Sequence, residues 1–591
     1  MCLGQKVYIT TKEFIAMFFF GAENIIANET YLNELNFFPV SDHDTGTNLS
    51  SLMHYLQSSQ YPSSHFKDLF AVLSDASLIG AAGNSGMIFS AFLGGFSYYQ
   101  QQTEQLSLTD FIACLQQGAE SAYQSVLEPI EGTMLTAMLE WAKICKQQQA
   151  DSSTYLDLFN QALPLLRETI QTNKIEKHSE IKNTDAGAVG FLLWLEGMQR
   201  YLQNPHQTLT FQAADSSSHI HHDHEPEISS AYKYCFDTVI LNDNATVNIK
   251  DQIKNDGDCL VINKNSRYTK IHIHTNDPLQ LTKKLMTMGK IVHQKMDDIQ
   301  TSLSVPEENQ HQIALITDST ADLPQDYIDR YSIAVLPITV KLNDNHLIDR
   351  ATVQLSDIYI NNEKQFASTA VPSAQTIQNL FKKLAAKFKS IIVITVSSKM
   401  SSLFQQVYLK ASQCQNIKIT VIDSLRNSAA HGLLVMKAAA VIHQGKSHDD
   451  VVAAVKAAID KTKIIVSVGD FKTMAKSGRA PSMLLQLVDK SQFKPLIGIS
   501  DDGKTRLEKI VFGAKNSENK LIEKIISVAN KASDYVYGVV HSEAAEQAQR
   551  IGDLLTQKLK NAPIFIQETS CSIGIHAGKG CVAVAIMSDT L

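Results

Sequence analysis

The chain has 591 residues, too many for one ordinary core and enough for three or four domains of roughly 100–200 residues each. Its 53 basic and 60 acidic residues give a net charge of −7, with 44% hydrophobic, 19% charged and 7% aromatic residues. This is globular composition, and without a strongly basic domain it argues against nucleic-acid binding through phosphate neutralisation. No apolar run approaches the ~18 residues of a transmembrane span. The start, Met1-Cys-Leu-Gly-Gln-Lys6, lacks a charged region followed by an apolar core and a cleavage site, so no secretory route is expected. Eight cysteines without framework spacing read as reduced thiols in a cytoplasm.

Residues 12–204 read as helix after helix. Positions 13–26 are apolar around most of the circumference, as a buried helix requires, and 108–123, 155–170 and 188–202 keep a helical period. An all-α helical bundle or barrel over 1–204 is the simplest account. Residues 205–230 have linker composition, including His219, His221, His222 and His224, which read as a solvated tract. Strand patterns at 234–241, 258–263 and 268–274, a helix pattern at 280–288 and a further strand make 231–306 a small α+β middle domain. From 311 to 591 strands and helices alternate. Strand patterns at 313–317, 334–340, 391–396, 417–422 and 464–468 are followed by others at 535–540, 564–568 and 582–586. That rhythm predicts an α/β domain with a largely parallel sheet.

The segment Phe38-Pro-Val-Ser-Asp-His-Asp-Thr-Gly-Thr-Asn48 is the most informative. Asp42 and Asp44, two apart in a turn, can hold a hard divalent cation such as Mg²⁺. Thr45-Gly-Thr-Asn48 then offers backbone amides to phosphate. Taken alone, Asp-x-Asp reads equally as an Asx turn capping a helix. Gly80-Ala-Ala-Gly-Asn-Ser-Gly86 precedes an apolar helix pattern at 87–96, and a glycine-rich entry to a helix N-terminus is an anion site or a place of close packing. Glu131-Gly-Thr-Met134 and Asp185-Ala-Gly-Ala188 are two more polar turns ahead of helices.

In the middle domain, His272 and His274 share one strand face and could chelate zinc with a thiolate from Cys235, or could be two exposed strand histidines. In the α/β domain three strand patterns run into hydroxyl-rich turns: Thr317-Asp-Ser-Thr320, Val396-Ser-Ser-Lys-Met-Ser401 and Ile422-Asp-Ser424. At the carboxyl ends of parallel strands these would converge on one rim.

These motifs carry a resemblance. Residues 1–204 resemble the ATP-binding L-subunit domain of dihydroxyacetone kinase, in the variant that opens fatty-acid kinases. Its pattern is Pro-Val-Pro-Asp-Gly-Asp-Thr-Gly-Thr-Asn followed by Gly-Ala-Arg-Gly-Asn-Ser-Gly. The likeness implies that Asp42 and Asp44 hold Mg²⁺, that Thr47, Asn48, Gly83, Asn84 and Ser85 contact phosphate, that Thr133 and Met134 line the nucleotide, and that Asp185 and Gly187 close the site. His43 stands where the pattern has glycine and Ala82 where it has arginine; Phe37 and Asn36 stand where a third acidic ligand is expected, with Asn36 a neutral oxygen substitute. The middle region resembles that of the fatty-acid kinase, which implies zinc on Cys235, His272 and His274.

Residues 311–591 resemble the DegV family of fatty-acid-binding proteins through Thr317-Asp-Ser-Thr-Ala-Asp-Leu-Pro324, Ser397-Ser-Lys-Met-Ser401, Lys476-Ser-Gly-Arg479 and Gly574-Ile-His-Ala-Gly-Lys-Gly580. That implies two α/β lobes around an acyl chain, with carboxylate contacts from Thr369, Arg479, His576 and either Ser398 or Ser401. Ala370-Val371 replaces the usual Ser-Gln, and Ser402-Leu403 the usual Gly-Thr.

The reading that follows is an ATP-dependent kinase fused to its acyl carrier, converting a bound long-chain fatty acid to an acyl phosphate for an acyltransferase to consume. It is expected to be a homodimer with transient membrane contact. Two alternatives stand beside it. His43 and Ala82 suit a lipid-binding protein whose helical domain only senses nucleotide; the other alternative is a dihydroxyacetone-type kinase acting on a small ketose.

Overall fold

A capping box starts the first long helix. In the computed structural model the Thr10 hydroxyl accepts from the Glu13 amide at 3.4 Å while Glu13 accepts from the Thr10 amide at 2.9 Å. The structure describes residues 6–36, 44–62, 64–172, 175–177, 181–205, 231–242, 248–299, 311–359, 367–476, 478 and 493–591. Asp42, His43, Arg479 and the histidines between 219 and 224 lie outside them. The chain divides into two units, Met1–Leu303 and Ser304–Leu591.

Among the described residues of the N-terminal part of the first unit, a short pair, β1 (Tyr8–Thr10) with β2 (Gln105–Ser107), accompanies the helices α1 (Thr11–Ala27), α2 (Glu29–Glu34), α3 (Thr45–Ser58), α4 (Phe66–Gly80), α5 (Gly83–Gly95), α6 (Leu108–Ser125), α7 (Met134–Gln148), α8 (Tyr155–Thr172) and α9 (Ala186–Gln203). A small hairpin, β3 (Ile175–Lys177) and β4 (Ile181–Asn183), precedes α9. The core is aromatic. Phe89 of α5 meets Trp194 of α9 edge-on at 5.3 Å, Phe92 meets Phe191 at 5.3 Å, and Phe18 of α1 meets Trp194 at 5.4 Å. Glycine lets α1 and α9 cross closely: a Cβ on Gly21 would come within 2.4 Å of Trp194 Cδ1, and one on Gly197 within 2.5 Å of the Phe20 carbonyl.

The same unit contains the middle domain. Strands β5 (Tyr234–Leu241), β6 (Asp258–Lys264), β7 (Tyr268–Thr275) and β8 (Lys290–Asp298) form an antiparallel sheet in the order β6-β7-β5-β8, with α10 (Ile249–Ile253) and α11 (Pro278–Met286) in the connections. Alternation splits β7 between two faces. Ile271 and Ile273 lie on one; Lys270, His272 and His274 lie on the other, which carries the contacts to α4 and α5. Asn263 donates to Ser90 of α5 at 2.8 Å, Asn265 to Asp75 of α4 at 2.7 Å, and the Leu127 amide to the Leu260 carbonyl at 3.1 Å.

The second unit has two lobes. The first holds a four-stranded parallel sheet, β10-β9-β14-β15, and an antiparallel sheet, β12-β11-β13. In chain order these elements are β9 (Ile313–Asp318), α12 (Gln325–Arg330), β10 (Ala334–Leu336), β11 (Thr339–Leu342), β12 (Asn345–Ile348), α13 (Leu355–Tyr359), β13 (Ala367–Ala370), α14 (Ala374–Ala385), β14 (Ser390–Thr395), α15 (Leu403–Ser412) and β15 (Lys418–Asp423). Helix α16 (Ser428–His443), buried on nearly every side, lies between that sheet and the second lobe, followed by α17 (His448–Ile459). The second lobe comprises β16 (Thr462–Ser467), α18 (Phe471–Lys476), β17 (Leu496–Ile499), β18 (Thr505–Lys509), α19 (Ala514–Ala529), β19 (Val536–His541), α20 (Ala545–Leu559), β20 (Ile566–Glu568), α21 (Cys571–Ala577) and β21 (Val582–Met587). Its sheet runs β18-β17-β16-β21-β19-β20. Arg426, fully buried, joins the lobes by donating to the carbonyls of Leu425 (2.8 Å), Ile459 (2.9 Å), Thr462 (2.7 Å) and Ser500 (3.3 Å).

Two expectations need correction. The six-stranded sheet is mostly antiparallel, with β19–β20 its parallel pair: β17 lies antiparallel to both β16 and β18, and β21 runs antiparallel between β16 and β19. The strand pattern at 334–340 breaks into β10 and β11 around Pro337, which has no N–H to give a ladder. Among the described residues, no helix is long and apolar enough to cross a membrane.

Both tryptophans of the chain, Trp141 and Trp194, are buried in the helical core, so their fluorescence reads that domain alone. Gly21→Val should force α1 from α9 and cost about 1–3 kcal/mol, seen as a lower urea midpoint of tryptophan fluorescence; an unchanged midpoint would refute the close crossing.

Candidate functional sites

Helix α3 begins after Asp44, whose carbonyl accepts from the Asn48 amide at 2.8 Å. The Thr45 hydroxyl lies 3.3 Å from that of Ser85, which joins the first turns of α3 and α5. Gly83 opens α5 with φ +60°, and a Cβ there would come within 2.2 Å of the side-chain Nδ2 of Asn48, so both backbone angle and space demand glycine. Asn84 Oδ1 is buried with no hydrogen-bond partner among the described residues. Asp185 caps α9 by accepting from Ala188 at 2.7 Å and also accepts from the Met134 amide at the start of α7. Burial pushes its carboxyl up to about 6 against those amides. Met134 lies over Gly187, and Leu49 of α3 packs on Gly190 of α9. The N-termini of α3 and α5, and those of α7 and α9, are therefore linked in pairs, and each brings the positive end of a helix dipole. Two expected contacts point elsewhere. The Thr47 hydroxyl is 3.2 Å from Glu29 Oε1 and 3.0 Å from the Asn33 side-chain amide, and the Thr133 hydroxyl donates to the Ile130 carbonyl at 2.7 Å. Asn36 is buried, its backbone amide bonded to the Asn33 carbonyl.

The sheet register gathers the middle-domain residues. Cys235 lies opposite His274, and Asp237 opposite His272. On the outer strands Asp258 pairs with His274, Asp297 with Cys235, and Lys295 with Asp237. Cys235 Sγ and ring nitrogens of His272 and His274 lie within 4.8 Å of one another; Asp258, Cys259 and His274 form a second such group. His272 Nδ1 is 2.6 Å from Asp237 Oδ1, while its Nε2 is buried and unpartnered among the described residues. Burial, helped by His272, pushes His274 down to about 3, so it stays neutral. Burial raises the Cys235 thiol, with smaller contributions from Asp237, Asp297 and Asp44 and an opposing one from Lys295. Asp237 runs the other way: burial would raise it, yet His272, Lys270 and Lys295 hold it well below the usual carboxylate range. Lys270, two residues before His272, is pushed down to about 8 by burial, opposed by Asp237. A neutral imidazole, a thiol and a carboxylate-oriented histidine fit a zinc ion.

In the second unit a cavity of about 470 Å³ lies between the lobes. Its walls include Ile338, Val396, Met400, Ile464, Val466, Ile497 and Val540. Thr369, Ser401 and His576 all line it. Ser398 does not; its amide donates to Asp423 at 3.1 Å instead. The three hydroxyl-rich turns follow adjacent parallel strands β9, β14 and β15, as expected, and Asp318 braces two of them by accepting from the Val396 amide at 2.8 Å. Thr320, from the first of these turns, also lines the cavity, and sequence reasoning missed Asn427, His541, Ser542, Thr569 and Ser572. It also missed the two carboxylates that place them. Asp322, in the left-handed region at φ 46°, accepts from Ser428 Oγ at 2.5 Å, from Thr569 Oγ1 and from the Ser570 amide at 2.7 Å. Asp349 accepts from Ser319 Oγ and the Cys571 amide, both at 2.9 Å. Together they seat the first turn of α21, the helix that carries His576. Asp322 shares a polar turn with Asp318, the one available signal for it, and Asp349 had none.

The fold agrees with the comparisons. Residues 39–200 match the DAK2 domain model, 231–304 the FakA-like middle domain model of fatty acid kinase, and 312–589 that of the DegV family. A DegV domain-containing protein of Clostridium acetobutylicum is 29% identical over 275 residues, 46% of this chain and 98% of that protein. Protein YloV of Bacillus subtilis is 26% identical over 306 residues, 49% of this chain, and the match spans 55% of its length. Among solved structures, DegV, a fatty acid binding protein from Bacillus subtilis, is similar with a TM-score of 0.44 and 21% identity, over 47% of this chain and 99% of that one. The C-terminal unit is thus a DegV-type α/β domain. The chain joins, in order, a DAK2 domain, a FakA-like middle domain and a DegV domain.

Burial pushes the Asp349 carboxyl up to about 6, against the hydroxyls of Ser572 and Ser319. A carboxyl that titrates higher folded than unfolded binds its proton more tightly when folded, so stability falls as pH rises from about 4 to 6 and stays lower above that. Asp349→Asn removes this titration. Between about pH 5 and pH 7.5 its calorimetric Tm should therefore fall less than that of the wild type, by the equivalent of about 1.4 kcal/mol; parallel Tm curves would show that Asp349 does not titrate there.

Proposed function

We propose that the chain is an ATP-dependent fatty-acid kinase fused to its own acyl carrier. The DegV-type domain holds a long-chain fatty acid, and the helical domain transfers the γ-phosphoryl group of ATP to its carboxylate, giving an acyl phosphate for an acyltransferase. The observation that carries this reading is the pairing, in one chain, of an apolar cavity lined also by Thr369, Ser401 and His576 with a set of linked helix N-termini beside Asp44. An acyl chain gains roughly 0.8 kcal/mol per buried methylene, and hydroxyl and cationic donors suit its carboxylate. Arg479 would add a cation there.

On the kinase side, Asp42 and Asp44 would hold Mg²⁺, which when bound neutralises phosphate charge. Asn48, Gly83, Asn84 and Ser85 would bind phosphate, and Met134, Asp185 and Gly187 would border the nucleotide. The remaining requirement is in-line placement of carboxylate and phosphate, which fusion assists by raising effective concentration. Cys235, His272 and His274 would hold zinc, with Asp237 orienting His272. The protein would work in the cytoplasm, as a homodimer, with transient membrane contact.

A second reading has its own observation. The hydroxyls of Thr47 and Thr133 are engaged within the protein, which suits a nucleotide sensor coupled to a lipid carrier.

ATP turnover with and without palmitate or oleate separates the two. We expect turnover to depend on fatty acid and Asp44→Asn to lower it at least about 100-fold, through loss of metal-assisted charge stabilisation. Turnover absent in both conditions, with MgATP still bound, would favour the sensor, and turnover on dihydroxyacetone alone would select the ketose kinase. Mass spectrometry of the denatured full chain should release a long-chain fatty acid; a protein that releases none and binds none when added cannot be a carrier. Elemental analysis of protein purified without chelator should find about one zinc per chain, lost in Cys235→Ser; zinc absent, or retained in the variant, would reject that site.

A further inference from the structure

We infer that Lys270 of the middle sheet is a positioning residue for the nucleotide site, holding the α4–α5 loop in shape; this rests on the nucleotide-binding reading above. Lys270 is 2% exposed, so its ammonium must find its partners within the protein. It donates to the carbonyl of Ile79 at 3.1 Å and to that of Ala81. These two carbonyls sit at the C-terminal end of α4, immediately before Gly83 opens α5.

The chemistry of that junction explains the need. The last carbonyls of a helix lack intrahelical partners and carry the negative end of its dipole. Here they lie two to four residues from the amides that would receive a phosphate, so left alone they would oppose the anion. A buried ammonium satisfies both and cancels their field. The stretch around the loop offers no cation of its own, since residues 68–142 contain no lysine, arginine or histidine. The cation comes instead from a distant strand. Its place is fixed by register: β7 is hydrogen-bonded on both sides, with Lys270 opposite Val239 and Asn263, and Asn263 itself bonds Ser90 of α5. Asp237 on β5 supplies the balancing charge.

The test is MgADP titration into the full chain by calorimetry, with the ATP KM and kcat measured alongside. Lys270→Met, Lys270→Arg and Asn263→Ala are compared; the last removes a sheet–helix bond away from the loop. We expect Lys270→Met to raise the MgADP Kd and the ATP KM about tenfold or more, Lys270→Arg to recover most of that, and Asn263→Ala to lower Tm while leaving Kd within about twofold. Should Lys270→Met fail to fold, Lys270→Arg decides: its charge survives but its reach differs, so a Kd raised about two- to fivefold at unchanged Tm supports the inference. A Kd unchanged in every folded Lys270 variant overturns it, as does equal loss of affinity in Lys270→Met and Asn263→Ala, which would reduce Lys270 to docking alone. A folded wild type that binds no MgADP overturns the nucleotide reading, and this inference with it.

Discussion

Charge buried without a partner is costly enough to organise everything around it, and in the first unit that constraint centres on one sheet face. Lys270, Asp237, His272 and His274 are all removed from water on neighbouring strands. They are tolerable there only because each finds an opposite charge, a carbonyl or an imidazole within reach. The helical domain supplies part of that satisfaction through the end of α4, so the sheet and the glycine-rich loop cannot be considered separately. Domain packing and site geometry become one problem, and a change in either is felt in the other.

The second unit solves the same problem with aspartates. Asp322 and Asp349 are buried carboxylates whose partners are hydroxyls and the amides at the start of α21. Their effect is to bring a first-lobe turn and a second-lobe helix to a fixed separation, leaving an apolar space between lobes whose polar lining is held at known positions. A cavity built this way has rigid polar groups at its edge and yielding aliphatic side chains along its walls. That division suits a ligand with one demanding end and one undemanding tail.

Much of this architecture was legible in the sequence. The helical period announced α1, α6, α8 and α9 to within two or three residues at each end, and β5 was read at its observed limits. Short β-branched runs gave strand positions but not strand directions, since such a run looks the same in parallel and antiparallel sheets; hence the error in the second lobe. Local motifs singled out Asp44, Gly83, His272 and His274 because their chemistry is compressed into a few residues, and His576 came from the family resemblance. Lys270, Asp237, Asp322 and Asp349 were missed because their roles arise only when strands far apart in the chain come into register. Alternation along β7 could have placed Lys270 beside the histidines, but not against α4. Ser398 and Ser401 could not be separated without knowing which one faces the cavity.

Arg426 has a consequence for how this protein tolerates change. Its planar fork grips the main chain at Leu425, Ile459, Thr462 and Ser500 and consults none of their side chains. Those four positions are therefore free to drift in identity, as far as the junction between the lobes is concerned, provided the backbone path survives. The arginine itself has no such latitude, because a lysine offers a single point of charge where several divergent donors are needed. One immovable residue thus shelters a variable neighbourhood, and two lobes can keep their relation while the sequence around the joint is rewritten.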